Sequence, residues 1–109
     1  MAEAAIPSLP LRVARVSAET PDIRRFELRA ADGGELPAFS PGAHISVCEP
    51  NGMIRKYSLC NDPAGRDSYV IAVLREPGGR GGSASMIGTL KEGDDVLVTA
   101  PRNDFPLVP

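Results

Sequence analysis

Aromatic residues make up only 5% of this 109-residue chain, which has one histidine and two cysteines. Each scarcity closes a class of function. A barrel that binds single-stranded nucleic acid needs several exposed aromatics on a basic face. Here the net charge is −2, the wrong sign for that and for neutralising duplex phosphates. A Ser-His-Asp site would have to be built around His44, yet nothing glycine-rich or elbow-like surrounds Ser40 or Ser46. A single histidine within a strand more readily serves structure. Cys48 and Cys60 are too few for an iron–sulfur cluster or a four-cysteine zinc site, and they read as buried, reduced thiols rather than a disulfide. The lysines are Lys56 and Lys91, and neither follows the glycine spacing of a Walker phosphate loop. No apolar run approaches the roughly 20 residues of a membrane helix. The start, Met1 to Pro7, has neither the basic segment nor the apolar stretch of a signal peptide. The expectation is one cytoplasmic domain spanning residues 1–109.

What the chain does have is turn formers. Glycine and proline number 11 each and fall between apolar runs, where they read as turns rather than a linker. Leu9, Leu11 and Val13 alternate with Pro10, Arg12 and Ala14 as a first strand, whose phase slips near Arg15-Val16 as a bulge would make it. In Ile23 to Ala30, Phe26, Leu28 and Ala30 oppose Arg25, Glu27 and Arg29, and Asp32-Gly33-Gly34 closes that strand with a turn. Ser40-Pro41-Gly42 turns the chain into a third strand, Ala43 to Cys48, and Pro50-Asn51-Gly52 is a hairpin signal leading into Ile54 to Leu59. Tyr69 to Leu74 is a fifth strand, apolar on both faces, and Asp94 to Ala100 a sixth. One short helix, from about Ser83 to Leu90, has Ser83 as its cap and Gly93 beyond its end. Six short strands with frequent turns predict a mostly-β fold, an antiparallel barrel in preference to a sandwich, with the helix before the last strand.

Two clusters have the chemistry to hold a phosphate-bearing cofactor. In Arg55-Lys56-Tyr57-Ser58, period two puts Arg55 and Tyr57 side by side on one face. A guanidinium binds phosphate bidentately, and the neighbouring ring can lie against a planar heterocycle. Ser58 points the other way in a regular strand and joins the site only if the chain bends near Asn61-Asp62-Pro63. Spacing alone fits a charged edge strand with one half-buried tyrosine at least as well. The second cluster, Gly78-Gly79-Arg80-Gly81-Gly82-Ser83-Ala84-Ser85, precedes the helix, whose N-terminus offers free N–H groups and the positive end of its dipole to an anion. A flexible connector with a capping serine is an equally good reading of it. Gly79-x-Gly81-x-x-Ala84 superficially matches the dinucleotide fingerprint, but that motif needs a following parallel strand and an acidic residue about 20 positions on. Asp94 and Asp95 come too soon.

Taken in order, these pieces resemble the flavin domain of the ferredoxin–NADP reductase superfamily, in particular the phthalate dioxygenase reductase branch that includes vanillate demethylase reductases. The resemblance rests on Pro41-Gly42-Ala43-His44-Ile45, Arg55 to Pro63, Tyr69 to Val73, Gly79 to Ser85 and Pro101 to Leu107, nearly the whole chain in the right order. It implies a six-stranded antiparallel Greek-key barrel holding FMN, less readily FAD, at its open side. Arg55 would bind the flavin phosphate within a segment that also includes Lys56. Tyr57 would pack along the ribityl chain and ring. Ser58 would be the catalytic side chain, hydrogen-bonding near the reactive N5 edge. Ala72, Val73 and Leu74 would face the ring, partly through main-chain groups. Arg80, Gly81, Gly82, Ser83 and Ser85 would hold the phosphate at the helix start, with Phe105 near the flavin. Reduced nicotinamide would deliver hydride to the flavin, and electrons would pass singly to a 2Fe–2S centre and on to a terminal aromatic-ring oxygenase.

Complete reductases of this branch also carry nucleotide-binding and 2Fe–2S domains, and neither is present in this chain. The expectation is therefore a piece that binds flavin but does not turn over NAD(P)H by itself. The rival reading is a non-enzymatic barrel that binds another ligand or a partner without flavin.

Overall fold

The computed structural model describes residues 7–62, 64, 67–74 and 82–102, with the backbone alone for 82–85. In chain order the elements are β1 (Leu9–Thr20), β2 (Ile23–Ala30), β3 (His44–Cys48), β4 (Ile54–Ser58), β5 (Tyr69–Leu74), α1 (Gly82–Thr89) and β6 (Asp95–Val98). They form one six-stranded antiparallel sheet in the order β4-β3-β6-β1-β2-β5. The last strand lies between the first and the third, which is the Greek-key signature. The sheet curls until its two edges meet. Leu59 bridges Ile71, and the Cys60 N–H donates to the Val70 carbonyl at 2.8 Å. Because β5 and β6 are not neighbours and no pairing is parallel, the helix between them is no dinucleotide-binding crossover.

Alternation of side chains explains the core. Leu11 and Val13 on β1, Phe26 and Leu28 on β2, Ile45 and Val47 on β3, Tyr69, Ile71 and Val73 on β5, and Val96 and Val98 on β6 are all buried. The register matches these rows: Val13 faces Leu28, Phe26 faces Ile71, Leu11 faces Val96 and Val47 faces Val98. Leu36 from the β2–β3 loop and Met86 and Leu90 from the helix region complete the cluster.

The expected bulge in β1 is present, one residue earlier than its pattern indicated. Two steps from Val13 to Arg15 match one step from Leu28 to Glu27, leaving Ala14 as the extra residue. A second shift, between Ala18 and Thr20, falls in an exposed stretch where no apolar alternation could reveal it. The helix begins at Gly82, so Ser83 lies inside its first turn rather than at the cap. Gly93, expected just past the helix, instead turns the chain into β6: Asp94 N–H donates to Lys91 O at 3.0 Å, and Gly93 N–H to Val13 O at 2.8 Å. Both cysteines are free thiols, as read, but Cys60 is exposed and Cys48 half-buried rather than both buried. Cys60 follows β4 at the barrel edge.

Two local devices fix the part of the barrel that matters for function. The Pro50-Asn51-Gly52 loop closes β3 onto β4, with Gly52 N–H donating to Glu49 O and Glu49 N–H to Met53 O, each at 2.8 Å. Gly52 has φ +87°, the left-handed residue that ends a three-residue hairpin loop. At the barrel seam, the Asn61 amide substitutes for a strand residue. Its Nδ2 donates to Ser68 O at 2.9 Å, and its Oδ1 accepts from Val70 N–H at 3.0 Å.

Asn61→Ala should lower unfolding free energy by about 2 kcal/mol, because two part-buried backbone groups lose their partners; urea denaturation measures it. A Cβ at Gly52 or at Gly88 meets nothing within 4 Å, so backbone conformation alone decides the outcome. Gly52→Ala should therefore cost about 1–2 kcal/mol. Gly88→Ala, in α1, should stabilise by about 0.5–1 kcal/mol. The same sign for both variants in a thermal melt would contradict the turn assignment.

Candidate functional site

The hairpin register decides which way β4 faces. Arg55 pairs with Val47 and Tyr57 with Ile45, both inward-pointing residues of β3. Arg55 and Tyr57 therefore share the inner face of β4, the side-by-side placement that period two predicted. Lys56 and Ser58 lie on the outer face, opposite Ser46 and His44, and both are exposed. The chain does not bend at Ser58, because the Leu59 N–H continues the ladder to Ala43 O at 3.0 Å.

Continuing the seam back from Leu59 and Ile71 would set Ser58, Tyr57 and Lys56 against Ala72, Val73 and Leu74. Among the described residues no such pairs form, and β4 and β5 stand as the two ends of the sheet. A mouth opens there. Val70 turns its N–H and C=O toward β4, to Asn61 and Cys60. Period two brings the main-chain groups of Ala72 and Leu74 to the same side. Ala72 and Leu74 are exposed, Leu74 by 52%, whereas the Val73 side chain is fully buried in the core. Tyr57 is half-buried against that core.

Charge separates Arg55 from three arginines of the barrel wall. Arg12 pairs with Asp95 at 3.1 Å, Arg25 with Glu19 at 3.0 Å and Arg29 with Glu27 at 2.9 Å. Donating to the Glu27 carboxylate, whose charge adds to the effect, raises the Arg29 guanidinium above its ordinary pKa. Arg55 forms no ion pair among the described residues. Its Nη2 lies 3.9 Å from the Met53 sulfur, and the residue is exposed. A cavity of about 310 Å³ beside the β1 bulge is lined by Arg12, Ala14, Arg29 and Asp67, but both its arginines already hold carboxylates.

The glycine-rich segment is only partly in view. Gly82, Ser83 and Ser85 form the start of α1, which packs against β5. Arg80, Gly81 and Phe105 lie outside the described residues. Among the described residues no cluster of three or more histidine, cysteine or acidic side chains could hold a metal, and no helix is long and apolar enough to cross a membrane. His44 is tied in by its main chain, exchanging bonds of 2.8 and 2.9 Å with Arg102, which carries the line of β6 along β3.

Two residues escaped the sequence reading. Asn61, read as part of a possible bend, is the seam clamp. Glu49 is 98% buried, and the Tyr57 hydroxyl donates to its Oε2. A signal for Glu49 existed, since it continues the inward row of Ile45 and Val47, where a carboxylate breaks the pattern.

No family model matches the chain. It is 50% identical over 99 residues to the phthalate dioxygenase reductase of Burkholderia cepacia, covering 91% of this chain and 31% of that protein. It is 51% identical over 89 residues to the vanillate O-demethylase oxidoreductase of Pseudomonas putida, covering 82% of this chain and 28% of that protein. The solved structure of phthalate dioxygenase reductase, described as modular for electron transfer from pyridine nucleotides to 2Fe–2S, superposes with a TM-score of 0.88. That match has 50% identity and covers 92% of this chain and 31% of the other. The chain thus spans about a third of the length of these relatives. Sheet order, seam and sequence agree: the chain belongs to the phthalate dioxygenase reductase branch of the ferredoxin–NADP reductase superfamily and folds as its flavin-binding barrel.

Proposed function

We propose that this barrel binds FMN at the mouth between β4 and β5 and serves an NAD(P)H-dependent oxidoreductase. In that protein, electrons from reduced nicotinamide would pass through the flavin to a 2Fe–2S centre and then to a terminal aromatic-ring oxygenase. The observation that carries the reading is the open mouth itself. Among the described residues, an exposed guanidinium without a carboxylate partner and a half-buried tyrosine share its one wall, and strand edge without a ladder forms the other.

The residues fit a flavin. Arg55 would take the phosphate, for which a planar, permanently charged fork is suited. Tyr57 would present its ring to the ribityl chain and heterocycle. The main-chain groups of Ala72 and Leu74 would meet the polar edge of the ring, and the exposed Leu74 side chain would exclude water there. The α1 start, with Gly82, Ser83 and Ser85, would add N–H and hydroxyl donors to the phosphate, together with Arg80 and Gly81 before it. Lys56 would contribute charge from the outer face. Val73 has no side-chain part, being in the core. Ser58, on the opposite face by register, would meet the ligand only around the edge of β4. Phe105 would close the site from the chain beyond β6. Bound flavin supplies the two-electron to one-electron conversion, and the protein's share is position and polarity. One arginine and one helix start suit a single phosphate, which favours FMN over FAD.

Purified protein mixed with excess FMN and desalted should retain the visible flavin bands, and FAD should be retained less well. Arg55→Ala should weaken FMN binding by about 10–100-fold while leaving riboflavin, which lacks the phosphate, nearly unaffected. A colourless protein, or normal FMN binding by Arg55→Ala, would overturn this site.

A further inference from the structure

Glu49 breaks the rule that governs the barrel interior. Its side chain ends the inward row of β3 and is 98% buried. No ion pair among the described residues involves it, and its Oε1 has no hydrogen-bond partner there. A buried carboxylate with an orphan oxygen costs stability, and an apolar side chain of similar volume would serve packing better. Local conflicts of this kind persist where function needs them.

What Glu49 does hold is Tyr57, whose hydroxyl donates to Oε2. The carboxylate is itself held firmly. Both main-chain groups of Glu49 bond within the β3–β4 hairpin, and Pro50 follows it. Tyr57 sits opposite Ile45, four residues back along β3, so its ring must lie along the strand, beneath Arg55, to reach Glu49. That fixes the ring along the wall of the mouth. Oε1 is shut from solvent, so Glu49 acts through Tyr57 and not by touching a ligand.

We infer that Glu49 is a positioning residue: its buried carboxylate fixes the Tyr57 ring at the mouth between β4 and β5, at a cost in stability, so that the wall is preorganised for the flavin. This rests on the flavin reading above. Preorganisation by a hydrogen bond raises affinity without adding a contact to the ligand.

The chain has two tyrosines and no tryptophan, and because the Tyr69 hydroxyl donates to Pro37 O as well, the Tyr57 component of the near-ultraviolet absorption is read as the difference from Tyr57→Phe. A phenol that donates to a carboxylate absorbs at longer wavelength than one that does not. The test compares Glu49→Leu, Glu49→Gln, Tyr57→Phe and the Glu49→Leu/Tyr57→Phe double variant for melting temperature, tyrosine absorption and FMN affinity. Glu49→Leu should keep or raise the melting temperature, shift the Tyr57 component to shorter wavelength and weaken FMN binding about tenfold. Glu49→Gln, which retains an acceptor oxygen, should stay within about threefold of the native affinity. Tyr57→Phe should match Glu49→Leu, and the double variant should be no weaker than either, because one link is cut in each. Native FMN affinity in Glu49→Leu, additive losses in the double variant, or a lowered melting temperature without rescue by glutamine would overturn the inference while leaving the flavin site standing. A native protein that retains no flavin would overturn both.

Discussion

The Leu59–Ile71 bridge and the paired bonds of Asn61 to Ser68 and Val70 hold β4 against β5 at one end. Nothing equivalent holds the other end among the described residues, and the site follows from that asymmetry. A fully zipped seam would bury the polar edges of Ala72 and Leu74 in a ladder and cover Tyr57. With no seam, two bare sheet edges would be left for other chains to pair with. One-ended closure completes a continuous core while leaving, among the described residues, a strand edge without a ladder beside an arginine without an ion pair.

Core and site share strands but use them differently. β5 sends Tyr69, Ile71 and Val73 into the interior and turns Ala72 and Leu74 outward, so one short segment both packs the barrel and lines the mouth. On β4 the inner face carries Arg55 and Tyr57 where other strands carry aliphatic side chains. On the β1–β2 ribbon Arg12, Arg25 and Arg29 are held in surface pairs that contribute little to stability but remove their free charge from that wall. The solved phthalate dioxygenase reductase, 50% identical in sequence, shares this barrel fold at a TM-score of 0.88.

Glu49 shows how far a site reaches beyond the groups that line it. The hairpin loop sets the register, the register sets Glu49 inward, and the carboxylate orients a tyrosine four residues away along the ladder. Each step is local, and the outcome is the attitude of one ring at the mouth.

Much of this was legible in the chain as text. Period-two alternation placed the strands to within a few residues, because a half-buried sheet leaves no other arrangement of Phe26, Leu28, Ile45, Val47 and Ile71. Pro50-Asn51-Gly52 announced the hairpin, and the spacing of Arg55 and Tyr57 put them on one face. Alternation is a one-dimensional property, however, and says nothing of which strand lies beside which. Only the folded barrel made β4 and β5 the edges that meet, made Asn61 a clamp, kept β4 straight so that Ser58 stays on the far face, and exposed Cys60. Only there did Glu49 and Tyr57 become partners, since their contact depends on a register that a single strand's pattern does not contain.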